Sequence, residues 1–121
     1  MFIVLLQFPV SSPEKKAELE QLLNSDEGLA FTKSQKGFIS VEHGWSTNDE
    51  GIQTWWGWEK WNSKEDYKNY FLKRKQDTKW IKKFFDITPE SELIKPHEID
   101  NVELYDIKCL ATTFSKIHGL I

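Results

Sequence analysis

The chain has 121 residues and a formal net charge of −3, from 16 Lys+Arg and 19 Asp+Glu. This length suits one domain, and an aromatic content of 14%, with six Trp, excludes a disordered chain. The mild acidity argues against a dedicated nucleic-acid binder. The single cysteine, Cys109, excludes an internal disulfide and a cysteine-rich metal site.

The apolar start of the chain, residues 1–8, is too short for a membrane helix and lacks the basic flank and cleavage site of a signal peptide. No other stretch approaches the roughly 20 apolar residues that cross a bilayer. We therefore expect a cytoplasmic protein without a membrane partner, and a lone thiol fits a reducing compartment.

The first half of the chain predicts a strand followed by helix. Residues 1–8 are apolar on both faces of a strand, except at Gln7, and Pro9 is expected to end that strand. Residues 13–35 then show apolar positions at helical spacing, which predicts one helix or a broken pair. Gly37 suits the end of this helical segment.

The second half predicts a hairpin, two helices and a last strand. Residues 38–45 and 52–61 are predicted strands separated by a polar turn. Asn62 or Ser63 is expected to cap the next helix, and Asp77 or Thr78 to start another short one. The polar residues 88–101 suggest a loop, and residues 102–107 a fourth strand. This order predicts an α+β, ferredoxin-like fold with a four-stranded antiparallel sheet and helices on one face.

The predicted third strand contains four tryptophans. Because successive strand residues point to opposite faces, Trp55 and Trp61 should face the helices, and Trp56 and Trp58 should face away from them. An apolar patch of that size calls for a cover. We expect a second copy of the chain to supply it, sheet against sheet, in an isologous homodimer.

Several short motifs resemble the antibiotic biosynthesis monooxygenase (ABM) domain of the dimeric α/β-barrel superfamily. They are the apolar first strand, the Lys-Gly-Phe-Ile turn at residues 36–39, the polar hairpin turn, and Trp-Glu-Lys-Trp at residues 58–61 followed by Asn-Ser-Lys-Glu-Asp-Tyr. The resemblance covers residues 1–107 and implies an ABM-like dimeric α/β barrel. Many members of that family oxidise phenols or quinols with molecular oxygen and use no metal or flavin.

Within the superfamily, residues 104–107 resemble the last strand of the haem-degrading branch. That branch uses an amide late in strand one, a tryptophan on the second main helix and a haem-ligating histidine. Gln7, Tyr70 and Trp80 fall at these positions. An indole N–H cannot ligate iron, so haem degradation by that route is not expected.

The family places its pocket between the sheet and the helices, and this implies a set of site residues. Gln7, an amide in an apolar strand, is a candidate for binding a substrate oxygen. His43 lies among apolar residues of strand two and is the candidate general base, although a packing histidine fits the same position. Tyr67 is the third predicted catalytic residue, positioning substrate oxygen atoms together with Gln7 or Tyr70.

The predicted substrate-binding residues are aromatic or cationic: Trp61, Tyr70, Arg74 and Trp80. Tyrosine and tryptophan rings suit a flat ligand, although core packing explains them equally well. Arg74 is a candidate for attracting an anionic substrate, although a solvated side chain is the simpler interpretation of this residue. The basic cluster around Trp80 suits a solvated helix face better than a nucleic-acid site.

The sequence thus favours a cofactor-independent monooxygenase that acts on a flat aromatic or quinol-like molecule, with neither metal nor cofactor. One alternative is a haem-binding or haem-degrading member that uses another ligand, for which His43 is the internal candidate. The other is a non-catalytic ligand-binding or structural dimer. Residues 108–121 form a C-terminal extension whose apolar spacing predicts packing on the domain or on the partner subunit.

Overall fold

A computed structural model describes residues 1–103 of the chain. Its elements, in chain order, are β1 (Phe2–Val10), α1 (Pro13–Asn24), α2 (Leu29–Lys33), β2 (Phe38–Thr47), β3 (Gln53–Trp61), α3 (Lys64–Gln76), α4 (Thr78–Ile87), a 3-10 turn (Glu90–Glu92) and β4 (His97–Ile99). The four strands form one antiparallel sheet in the order β2-β3-β1-β4. This confirms the predicted α+β, ferredoxin-like fold.

The helices begin where capping residues satisfy their first N–H groups. The Ser12 hydroxyl accepts from the Lys15 N–H at the start of α1, and the Ser63 hydroxyl accepts from the Asp66 N–H at the start of α3. The Asp77 carboxylate does the same for α4. Of the alternatives that the sequence left open, residues 13–35 are therefore a broken pair of helices, and Ser63 and Asp77 are the caps.

Alternation along the strands decides which side chains meet the helices. Trp55 and Trp61 are buried under the helices, whereas Trp56 and Trp58 are half-buried on the opposite side of the sheet, here called the distal face. The predicted orientation of these four side chains is confirmed. The strand register places Phe2 opposite Trp61, so Phe2 and the alternate residues of β1 that follow it also face the helices, whereas Leu5, opposite Trp58, lies on the distal face.

Three local predictions are wrong. Strand β1 continues through Pro9 to Val10; β4 pairs only as far as Leu5, so Pro9 lies where β1 has an edge, and an edge tolerates proline. Regular alternation along the predicted strand 38–45 would place Ile39 on the same face as Val41, but Ile39 falls at a register shift between Phe38 and Ser40 and is exposed.

The last strand also begins earlier than predicted, because His97–Ile99 pairs with β1 although the surrounding sequence is polar. The predictions for residues 104–121 lie outside the described residues. These are the last part of the proposed fourth strand, the domain boundary at 107, Cys109 and the apolar C-terminal extension.

The core between sheet and helices has two clusters. The larger one joins α1, α2 and α4 to Trp55, and the smaller one packs Tyr67 and Tyr70 of α3 on Trp61. Leu6 of β1 packs against both clusters. The two clusters meet over the middle of the sheet, and this is where the candidate site lies.

Candidate active site

A cavity of about 540 Å³ opens between the helix-facing side of the sheet and the helices. A volume of this size is typical of small-molecule sites. Its wall is largely aliphatic and aromatic, with contributions from every helix. The polar and charged lining residues are Thr32, Glu59, Tyr67, Tyr70, Arg74, Lys75, Glu90 and Lys95.

Strand β3 supplies the floor of the cavity through alternate residues. Trp55, Glu59 and Trp61 face the helices, and Gly57 lies between them in this alternation. The Trp55 indole lies over Gly57, where a Cβ would come 2.4 Å from its Cη2 atom. The glycine therefore leaves room for the tryptophan to lie flat on the sheet and form part of the floor.

Glu59 is the one carboxyl group buried in the described residues, with a side chain only 1% exposed. Its Oε1 accepts a hydrogen bond of 3.1 Å from the Trp61 indole N–H. No group among residues 1–103 donates to Oε2, so this oxygen is available to a ligand in the cavity that Glu59 lines.

Burial raises the pKa of Glu59 from 4.5 to about 7, because a carboxylate loses its hydration there. The hydrogen bond from Trp61 and the positive charge of Arg74 lower the pKa in part, without offsetting burial. A carboxyl group with a pKa near neutrality can accept a proton and return it at the pH of a cell. Glu59 therefore has the properties of a general base.

Helix α3 brings Tyr67, Tyr70 and Arg74 to the cavity, because residues three or four apart share one helix face. The Tyr67 ring is buried, and its hydroxyl has no hydrogen-bond partner in the described part of the chain. Burial, followed by the negative charge of Glu59, raises the pKa of Tyr67. Tyr67 is therefore a neutral phenol whose O–H is available to a ligand.

Arg74 is buried, with 9% of its surface exposed, so its interpretation as a solvated side chain is wrong. Its guanidinium donates to the Tyr70 hydroxyl at 2.8 Å, to Gly28 O at 2.9 Å, to Thr32 Oγ1 at 3.0 Å and to Glu27 O. The network ties α3 to the first turn of α2 and fixes a positive charge in the cavity wall.

The aromatic partners of Arg74 complete its surroundings. The Trp80 ring lies 3.9 Å from the guanidinium carbon and the Phe31 ring lies 4.6 Å from it, both within the range of cation–π contacts. Arg74 covers one face of the Trp80 ring, and only 8% of Trp80 is exposed, so the indole is not accessible for stacking on a nucleic-acid base. Trp80 lines the cavity as part of its apolar wall.

The structure brings together four of the seven predicted site residues: Tyr67, Tyr70, Arg74 and Trp80. Trp61 is completely buried beneath the tyrosines and does not itself line the cavity; it supports three lining residues, Glu59, Tyr67 and Tyr70, from behind. The Tyr70 hydroxyl is engaged by Arg74 and by Thr32 Oγ1, 2.8 Å away, so Tyr70 supports the wall rather than offering a proton.

Gln7 and His43 do not line the cavity. Gln7 lies opposite Trp56 in the strand register, so its side chain is on the distal face, where Trp56 also lies. His43 shares the helix-facing side with Gly57, but it lies on β2, at the edge of the sheet, and its side chain is exposed. Their predicted placement in the pocket is wrong for these two reasons.

Sequence reasoning missed Glu59 and Thr32. Glu59 had a usable signal, because it is an acidic residue at the strand position that alternates with Trp55 and Trp61, which were expected to be buried. Thr32 had none, since its role depends on the approach of Arg74 from a helix distant in the sequence.

The described residues contain no group of three or more His, Cys, Asp or Glu side chains placed to hold a metal ion. The cavity wall formed by residues 1–103 contains no histidine, cysteine or methionine. Within the same range, no helix has both the length and the apolar character needed to cross a membrane.

No family model and no curated protein matches this sequence. Solved structures share its fold. A Deinococcus radiodurans protein that carries the name antibiotic biosynthesis monooxygenase has a TM-score of 0.58 at 17% identity, over 88% of this chain and 98% of that chain. A dimeric ferredoxin-like protein from an uncultured marine organism has a TM-score of 0.57 at 16% identity, over 88% and 100%.

SnoaB, a cofactor-independent oxygenase from Streptomyces nogalater, has a TM-score of 0.51 at 8% identity, over 85% of this chain and 94% of that chain. Identities this low establish the fold alone. The resemblance to ABM domains that the motifs predict is therefore confirmed as a likeness of structure.

Proposed function

We propose that this protein is a cofactor-independent monooxygenase that oxidises a flat aromatic or quinol-like molecule in the cavity between sheet and helices. The observation that carries the proposal is Glu59, a buried carboxyl group whose pKa is about 7 and whose Oε2 is available in a largely apolar cavity. The name of SnoaB, a structure of the same fold, supports oxygen chemistry without a cofactor.

In this proposal Glu59 takes the phenolic proton of the substrate. The transfer leaves the number of charges in the cavity unchanged, because the carboxylate becomes neutral as the substrate becomes a phenolate. Arg74, held in the wall by its hydrogen bonds, then stabilises the phenolate, and Tyr67 donates its O–H to a substrate oxygen. The electron-rich phenolate is the species that can reduce oxygen.

The oxidation then needs only the substrate and molecular oxygen. The phenolate gives an electron to O₂, and the resulting pair combines to form a C–O bond at a ring carbon that bears hydrogen. Loss of that hydrogen as a proton and cleavage of the O–O bond leave a quinone carbonyl and release water. One phenol and one O₂ thus give one quinone and one H₂O, and the apolar wall keeps bulk water away from the intermediate.

The experiment is oxygen uptake by the purified protein, dialysed against a chelator, with naphthols and naphthalene diols as substrates. Quinone formation and oxygen uptake should agree with the stoichiometry above. The Glu59→Gln variant keeps the shape of the side chain and an acceptor for Trp61 but removes the base. We expect it to lower kcat by about 100-fold or more while substrate binding changes little.

His43→Ala is the matched comparison, because His43 lies outside the cavity. We expect this variant to retain wild-type turnover. If His43→Ala abolished turnover and Glu59→Gln did not, the base would be His43 and this proposal would be wrong. If the wild-type protein bound the compounds in its cavity but consumed no oxygen, it would be a non-catalytic binding protein. The haem-binding alternative is tested separately by titration with haem, in which a Soret shift would identify it.

We also propose that the working form is a homodimer joined through the distal face. Trp56 and Trp58 are only half-buried there in a single chain, next to Leu5 across the register. The name of the dimeric ferredoxin-like protein of similar structure supports a dimer, and the half-buried tryptophans are the reason for placing the contact on the distal face. A second copy would remove these indole rings from water.

A further inference from the structure

The charges of the cavity wall differ from those of the whole chain. Among the described residues the wall contains the cations Arg74, Lys75 and Lys95 and the carboxyl groups Glu59 and Glu90. The wall is therefore cationic even with Glu59 ionised, although the chain as a whole has a formal net charge of −3. Such a local reversal of sign favours an anionic ligand.

The positive charges lie at two depths. Arg74 is buried, and each nitrogen of its guanidinium already donates to a protein acceptor. Lys75 of α3 and Lys95, in the segment before β4, are exposed and lie at the rim. An anionic group on a ligand would thus meet the rim lysines before it met a committed guanidinium.

The rim lysines also lack partners within residues 1–103. Four other lysines in this range do form ion pairs with carboxylates: Lys15, Lys60, Lys82 and Lys83. Neither Lys75 nor Lys95 forms an ion pair or donates a side-chain hydrogen bond in that range. The Lys75 ammonium lies 4.9 Å from the Phe71 ring, which keeps it over the rim.

Apolar surface reaches the rim beside these charges. Phe71 and Ile94 line the cavity, yet 39% of Phe71 and 43% of Ile94 are exposed. A ligand that fits this opening has an apolar body that extends to the surface and a charged group at that end.

We propose that the substrate is a flat aromatic carboxylate, whose ring system lies in the cavity and whose carboxylate lies at the rim with Lys75 and Lys95. Lys75 and Lys95 are then specificity-determining residues, remote from the proton transfer at Glu59. This inference rests on the proposed function of the cavity and adds the class of its substrate.

The test compares a hydroxynaphthoic acid with its methyl ester, which has the same ring system without the charge. Binding is followed at neutral pH and low salt by quenching of tryptophan fluorescence. We expect the wild-type protein to bind the acid about tenfold more tightly than the ester, the effect of two exposed ion pairs, and to lose this preference at high salt. The double variant Lys75→Gln/Lys95→Gln should bind both compounds with similar affinity.

Two control proteins make the result specific. Lys82→Gln removes an exposed lysine outside the cavity that pairs with Asp86, and it should keep the wild-type preference. Lys75→Arg/Lys95→Arg retains the positive charges and should also keep it.

Equal binding of acid and ester by the wild-type protein would overturn this inference and leave the proposed function intact. If the double glutamine variant still bound the acid more tightly than the ester, the carboxylate would not be bound by the rim lysines, and this assignment would be wrong. If neither compound bound, the cavity would not be a site for aromatic ligands, and the proposed function would fall together with the inference.

Discussion

At the scale of single residues, Glu59 shows how the fold changes the chemistry of an ordinary side chain. An exposed glutamate is a weak base at neutral pH, whereas burial raises the pKa of Glu59 to about 7. The Trp61 N–H binds one carboxylate oxygen and so orients the other toward the cavity. Packing and one hydrogen bond thus set both the basicity and the direction of the group.

The raised pKa predicts a measurable dependence of stability on pH. Because the folded-state pKa of Glu59 exceeds its ordinary value of 4.5, the folded protein binds the proton more tightly than the unfolded chain. The wild-type free energy of unfolding should fall as the pH rises from 4.5 to about 7 and then level off. Glu59→Gln removes this titration, so above pH 7 the variant should be more stable by about 3 kcal/mol.

Urea unfolding of both proteins below pH 4.5 and above pH 7 measures the difference. The two proteins should have similar stability at the acidic end, where the glutamate is neutral in both states. A difference that did not change with pH would show that Glu59 titrates normally, and the argument for a base at this position would lose its physical ground.

The same residues explain what the sequence could predict of the site. The positions of Tyr67, Tyr70 and Arg74 follow from helical spacing, and α3 does place all three at the cavity. His43 has the predicted strand face but lies on an edge strand, and strand order is set by contacts distant in the sequence. Gln7 was assigned by analogy with a family position, whereas its register with Trp56 decides its face.

At the scale of elements, α3 positions most of the polar groups of the cavity, and its first turn is capped by Ser63. Ser63→Ala removes the acceptor for the Asp66 N–H, and we expect it to lower the free energy of unfolding by about 1 kcal/mol. Ser63→Asp keeps an acceptor and adds a negative charge at the positive end of the helix dipole, so it should retain wild-type stability.

Urea unfolding with an unchanged m-value would show that the cap alone is responsible for the loss. Equal losses in the alanine and aspartate variants would instead indicate that the serine acts through packing. In that case the hydrogen bond of 3.1 Å between Ser63 and Asp66 would contribute little to the start of α3.

Elements were predictable where a local pattern determines them. The caps at Ser63 and Asp77 use local chemistry, and alternation along β3 fixes the faces of its tryptophans. The short strand β4, His97–Ile99, has no apolar pattern of its own, and it forms because β1 offers a free edge there. Continuation of β1 through Pro9 likewise depends on where β4 ends.

At the scale of the whole molecule, the sheet separates the cavity, on its helix-facing side, from the proposed dimer contact on its distal face. Its helix-facing side combines Glu59 and Trp55 in the floor of the cavity, and its distal face presents Trp56 and Trp58. The proposed chemistry needs the first side alone within each subunit, and the proposed assembly uses only the second. A substitution on the distal face should therefore change the assembly without reaching the base.

Trp58→Glu tests this separation, because it places a charge among Leu5 and the other apolar residues that the proposed dimer buries. Sedimentation at low micromolar concentration should show a dimer for the wild-type protein and a monomer for this variant. Leu72→Glu is the matched control, since Leu72 is 52% exposed on α3, away from the distal face, and this change should leave the dimer intact. If the wild-type protein were a monomer, the proposed dimer would be excluded. If Leu72→Glu alone abolished the dimer, the contact between subunits would lie elsewhere than on the distal face.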